Sequence, residues 1–185
     1  MRRLCLLFLL IGTYCYAGEK KYTVDSPDGK IQLAIIQTDA GELTYQLSVK
    51  RKQVIDASAL GFKTEDGLTF PFRGWKMGKV TRNKVNSVWK PLWGKRAVVP
   101  DKYNEMKLSF VNEAKSSDAL EVVARAYNEG VAFRYVSPQD AGSALELTTF
   151  NFAGDYTAWF YNGERHNIGP ERLTETDGER LPVMT

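Results

Sequence analysis

Apolar and polar residues alternate with a period of two along most of this chain. In Leu43–Val49, the residues Leu43, Tyr45, Leu47 and Val49 fall on one face, with Thr44, Gln46 and Ser48 on the other. Lys30–Gln37 groups Ile31, Leu33 and Ile35, and Met106, Leu108 and Phe110 alternate with Lys107 and Ser109. The segments Leu120–Tyr127, Val131–Val136 and Ala144–Phe150 continue the pattern. Successive side chains of a strand point to opposite faces, so these segments predict strands that each bury one face. Antiparallel sheets with one face on a core produce this alternation. No window shows a convincing helical stripe, and the fold class predicted is all-β.

The residues between the strands agree. Ser26-Pro27-Asp28-Gly29 predicts a turn, with Pro and Asp placed for it and Gly free to take positive φ. Asn128-Glu129-Gly130 predicts a three-residue hairpin loop with a bulge. Asp39-Ala40-Gly41 and Asp66-Gly67 predict further reversals. Strands recurring between such turns predict a sandwich, with residues 18–160 forming one domain. From 161 to 185 the sequence turns polar and loses its period. That stretch is expected to be a loop or connector.

The first residues differ in kind. Arg2 and Arg3 precede an apolar run, Leu4–Ile11, and the segment ends on Cys15-Tyr16-Ala17. A positive start, a short apolar run and small residues before the cut predict a secretory signal peptide over 1–17. The run is too short to span a bilayer. The destination expected is the periplasm or the exterior of a bacterium, with no membrane attachment after cleavage. The formal charge of +3 includes Arg2 and Arg3, so the remainder carries about +1. That balance leaves no basic patch for nucleic acid. Both cysteines, Cys5 and Cys15, lie in the leader, which excludes a disulfide or a thiolate nucleophile from the mature chain.

Catalytic chemistry is scarce. The chain has one histidine, His166, and no Gly-x-Ser-x-Gly, phosphate-loop or dinucleotide motif. Residue count rules out zinc held by His and Cys. Four tryptophans, Trp75, Trp89, Trp93 and Trp159, could stack on sugars, although burial in a core or between sheets is the expectation for each. Glu164, Glu171, Glu175, Asp177 and Glu179 crowd the late polar stretch. Oxygen ligands of this kind suit Ca²⁺, whereas a solvated acidic loop is what spacing alone predicts.

Several segments, in order, resemble the N-terminal domain of glycoside hydrolase family 97, the bacterial family of α-glucosidases and α-galactosidases. They are Ser26–Ile31, Gly41–Leu47, Val54–Gly61, Trp89–Gly94 with Tyr103–Met106, Arg125–Tyr135, and Glu146–Phe150 leading to Thr157–Trp159. The resemblance implies a β-super-sandwich of the galactose-mutarotase-like kind, packed against a following catalytic (β/α)₈ barrel that this chain lacks. It implies an oligosaccharide substrate, with Trp159 and His166 as candidate contacts. It also implies a Ca²⁺ in the full-length enzyme that takes a glutamate from this domain. Glu171, in Ile168–Leu173, matches that ligand best, and Glu164 is second. No catalytic residue of the family falls on this chain. A stand-alone carbohydrate-binding module without hydrolase activity is the alternative.

Overall fold

The computed structural model describes residues 19–65, 67, 69–71, 74–113, 119–137, 142–160 and 168–176. Four strands make the first sheet in sequence order: β1 (Lys20–Asp25), β2 (Ile31–Gln37), β3 (Leu43–Val49) and β4 (Lys52–Leu60). A small sheet follows from β5 (Phe62–Thr64), β6 (Thr69–Phe70) and the later β11 (Ala144–Glu146), ordered β11-β5-β6. The second large sheet runs β10-β9-β8-β7, from β7 (Trp75–Trp89), β8 (Val99–Asn112), β9 (Ala119–Tyr127) and β10 (Val131–Val136). A hairpin of β12 (Thr157–Phe160) and β13 (Ile168–Arg172) leads into a 3₁₀ turn, Leu173–Glu175. Every pairing is antiparallel. The expected all-β sandwich is present.

The alternation read from the sequence decides which faces meet. Val24, Leu33, Ile35, Leu43 and Tyr45 from the first sheet pack in one core with Met106, Leu108, Phe110, Leu120, Val122, Ala124 and Ala126 from the second. Burying a side chain of this size stabilises by roughly 1.5–3 kcal/mol. An aromatic knot joins the small sheet to that core. The Phe70 ring lies 5.1 Å from Trp75 and 5.3 Å from Phe110, and Phe62 lies 5.1 Å from Tyr135. Gly61 makes the corner between β4 and β5. A Cβ there would sit 2.4 Å from the Phe70 carbonyl oxygen, so only glycine lets the two backbones approach so closely.

The turn at Ser26–Gly29 forms as predicted. Gly29 takes φ +71 and donates its N–H to the Ser26 carbonyl oxygen at 2.9 Å. The Ser26 hydroxyl donates to Asp28 Oδ1 at 2.6 Å, and that bond, helped by Lys30, holds the Asp28 carboxyl down at about 2. The other hairpin differs from expectation. Val131 pairs with Ala126 and Tyr127 donates its N–H to the Gly130 carbonyl oxygen, so Asn128 and Glu129 form a two-residue loop without a bulge. Gly130 completes the ladder and does not need positive φ.

Three further differences have clear causes. The alternation expected to run to Phe150 gives a strand only over Ala144–Glu146. Residues 147–153 still run along the edge of β4: Leu147 and Thr149 donate N–H groups to the Gly61 and Ala59 carbonyl oxygens, and Ala153 donates to that of Val54. Bulges in β4 break the regular ladder there. In β7 one extra residue at Gly78-Lys79 shifts the register between Met77 and Val80. Trp75, Met77 and Val80 therefore all face the core although their spacing breaks period two. Finally, the expected loop after 161 contains β13, whose residues pair with β12.

Candidate functional site

Of the residues singled out by sequence, Trp159 and Glu171 lie on the β12–β13 hairpin. Thr157 pairs with Arg172 and Ala158 with Glu171, and then the register shifts so that Phe160 pairs with Ile168. Gly169 and Pro170 consequently stand opposite Trp159. Gly169 takes φ +124, and a Cβ on it would meet the Ala158 carbonyl oxygen at 2.6 Å and Trp159 Cδ1 at 3.2 Å. Trp159 thus leans on a glycine that makes room for it and leaves 48% of its surface outside. An indole supported in this way keeps an apolar face available to a ligand.

Glu171 is half-buried and shares a face with its fully buried partner Ala158. Trp159 alternates to the other face. The candidate substrate contact and the candidate metal ligand therefore lie on opposite sides of one hairpin. Glu164 and His166 lie outside the described residues. Among the described residues no three His, Cys, Asp or Glu side chains converge as a metal cage. Ca²⁺ takes 6–8 oxygen ligands. The described residues do not make such a site by themselves, and Glu171 supplies one carboxylate toward it at most.

A short network braces the hairpin. Asp155 accepts from the Thr174 N–H and the Thr174 hydroxyl, each at 3.1 Å. The Arg172 guanidinium donates to the Asp155 carbonyl oxygen at 3.2 Å, and the Arg172 N–H donates to Glu175 Oε2 at 3.2 Å. Glu175 acts there as a turn-former.

The expectation that the tryptophans are buried holds only for Trp75. Trp89 and Trp93 are exposed at the end of the β7–β8 ribbon, and Trp159 is half exposed. For Trp89 and Trp93 the cause is topological, because Val99–Lys102 of β8 pair with β7 alone, beyond the reach of β9 and the core.

Sequence reasoning missed a polar cluster on the outward face of the second sheet. Arg125 Nε donates to Glu105 Oε2 at 2.8 Å, and the guanidinium carbon lies 4.3 Å from the centre of the Tyr103 ring. Tyr103 in turn packs 5.0 Å from Tyr127. The hydrogen bond to Glu105 raises the Arg125 pKa, and burial raises that of Tyr103. The available signal was the pairing of Tyr103–Met106 with Arg125–Tyr135, two segments that carried the family resemblance. At the sandwich end, Asn104 Nδ2 donates to the Asp25 carbonyl oxygen at 2.7 Å. The Asp28 N–H donates to Asn128 Oδ1 at 3.0 Å, which ties the turns of the two sheets together.

Facing antiparallel sheets, an aromatic knot and a bracing hairpin define a β-sandwich domain. The chain belongs to the glycosyl-hydrolase 97 N-terminal family, whose pattern it matches over residues 24–182. It is 23% identical over 199 residues to a retaining alpha-galactosidase of Bacteroides thetaiotaomicron, covering 97% of this chain and 29% of that protein. It is 29% identical over 166 residues to a probable retaining alpha-galactosidase of Streptomyces bingchenggensis, covering 86% and 26%. Among solved structures it resembles a glycoside hydrolase family 97 enzyme of Pseudoalteromonas sp. strain K8 in complex with acarbose, with 34% identity and a TM-score of 0.66 over 76% of this chain and 22% of that one. A beta-arabinopyranosidase matches with 27% identity and a TM-score of 0.64 over 75% and 22%. The chain thus spans less than a third of the length of the relatives it matches.

Proposed function

We propose that this domain belongs to a secreted α-glycosidase, in which it walls one side of the substrate pocket and contributes a carboxylate to a calcium site. The observation that carries this reading is the family match over residues 24–182, made with enzymes several times longer than this chain. The chemistry is assigned to a barrel beyond these residues, because glycoside hydrolysis normally needs two positioned carboxylates and none is placed here. Both curated relatives are named for α-galactoside hydrolysis, and the enzyme from strain K8 binds acarbose. The substrate proposed is therefore an α-glycoside, glucose and galactose both being open. Trp159 and His166 would contact the sugar, Glu171 or Glu164 would reach the metal, and residues 1–17 would direct export.

The test compares residues 18–185 with the product of the complete gene. Aryl α-galactosides and α-glucosides should be hydrolysed by the long form only. In that form Glu171→Gln should lower calcium affinity and activity together, because an amide keeps the shape but loses the charge a hard cation prefers. Full calcium response in Glu171→Gln with loss in Glu164→Gln would move the ligand to Glu164. An unaltered response in both would remove the metal role from this domain.

A further inference from the structure

The two-stranded end of the β7–β8 ribbon carries an apolar patch that is left exposed. Val88, Trp89, Leu92, Trp93 and Val98 are all exposed, Leu92 fully and Trp93 at 88%. With 54% of Trp89 also outside, the two indoles leave on the order of 300 Å² of apolar surface exposed. The three aliphatic side chains extend it beyond what soluble monomers ordinarily expose without purpose. A two-stranded ribbon on its own is also marginal in water. Lys84, Lys90, Lys95 and Arg96 are exposed around the patch, and Asp101, half-buried opposite Ser87, is the one carboxylate in residues 84–104, so the charge there is predominantly positive.

We propose that this tip is a docking element that inserts into an apolar recess with an acidic rim on the catalytic part of the same longer polypeptide. The inference rests on the proposed function for the existence of that part and adds where it is held. Tryptophans buried on association are among the residues that most often dominate the energy of a protein interface, with charged groups at its rim. A sugar fits the tip poorly. From Trp89 to Val98 the side chains are apolar or cationic donors, and the nearest side-chain acceptors, Asn86, Ser87 and Asp101, lie back along the ribbon, while sugar hydroxyls need acceptors as well as donors. The relatives and solved enzymes hold roughly three-quarters of their length outside the matched region, which supplies the mass for such a partner.

The experiment uses Leu92→Cys. Residues 18–185 contain no native cysteine, so the new thiol is unique within them. Maleimide labelling of the tip peptide is followed by mass spectrometry in the 185-residue chain and in the complete gene product. The expected result is labelling ~10-fold slower in the complete product, with Trp93→Asp added to it restoring the fast rate. Lys95→Cys repeats the measurement should Leu92→Cys fold poorly. Equal rates in the two forms overturn the docking, even if the complete product hydrolyses glycosides. Slowed labelling in a product that hydrolyses none supports the docking and overturns the activity. Slowing of the 185-residue chain by maltooligosaccharide, by anionic phospholipid vesicles or by its own concentration overturns this partner in favour of sugar, membrane or a second copy.

Discussion

Adding one methyl group at Gly61 should unfold the domain far more readily than adding one at Gly67. At Gly61 the Cβ would sit 2.4 Å from the Phe70 carbonyl oxygen and 3.1 Å from Pro71 Cδ. The nearer atom is backbone, so relief requires β6 to move by about an ångström, against an aromatic knot in which Phe70 touches Phe62, Trp75 and Phe110. Overpacking of this kind costs about 1–3 kcal/mol, and backbone contact puts it near the upper end. Reduced freedom of the unfolded chain returns about 0.4–1 kcal/mol. The net destabilisation is about 2 kcal/mol. With a urea slope of about 2 kcal/mol/M, the midpoint should fall by about 1 M. Gly67 is the control: nothing lies within 4 Å of its Cβ, but its φ is +89, so alanine there meets left-handed strain alone, and the upper end of about 1–2 kcal/mol less the same return leaves about 1 kcal/mol. Its midpoint should fall by about half as much. The assay is equilibrium urea unfolding of residues 18–185 by circular dichroism. A Gly61→Ala midpoint within about 0.3 M of the parent, or above that of Gly67→Ala, would refute the close-approach argument.

Two further outcomes follow from local geometry. Lys50 and Arg51 form the β3–β4 turn with φ of 50 and 68, a two-residue loop that favours Asn-Gly. Lys50→Asn with Arg51→Gly should raise the urea midpoint by about 0.5 M, and no gain would mean that the turn relaxes in solution. Burial pushes Tyr135 up to about 12, and burial also raises Tyr45 and Tyr103. Folded phenols then hold protons that unfolded ones release above pH 10, so the stability they contribute is complete below 10 and is lost toward 12. Midpoints measured from pH 9 to 12 should fall, Tyr135→Phe should flatten part of the fall, and a level profile in the parent contradicts the burial.

Much of the fold is legible in period two, because alternation fixes which side chains can face a core whatever strand lies opposite. Leu43–Val49 and Val131–Val136 come out as strands with the bounds read from sequence. Ser26–Gly29 is legible for a related reason: its turn chemistry is local. Where a bulge slips the period, as at Gly78-Lys79, the pattern stops reporting the face. The 15-residue strand β7 is not visible in alternation. The strand in Ile168–Arg172 is hidden as well, since it exists only by pairing with β12.

The candidate site divides along the same line. Residue type makes Trp159 capable of stacking and Glu171 capable of offering oxygen to a hard cation, and the family resemblance made them candidates, since these capacities are properties of the side chain. That they lie on opposite faces of one hairpin follows from its pairing, which no single segment encodes. The sequence likewise supplies Glu105 and Arg125, 20 positions apart, while the β8–β9 register puts them within a hydrogen bond. It supplies four tryptophans of equal burial tendency, and the lengths of β7 and β8 relative to β9 leave Trp89 and Trp93 outside, while the β12–β13 pairing leaves Trp159 half out. Local sequence determines what each residue can do; strand register and reach determine what it meets, because both arise from contacts between distant parts of the chain.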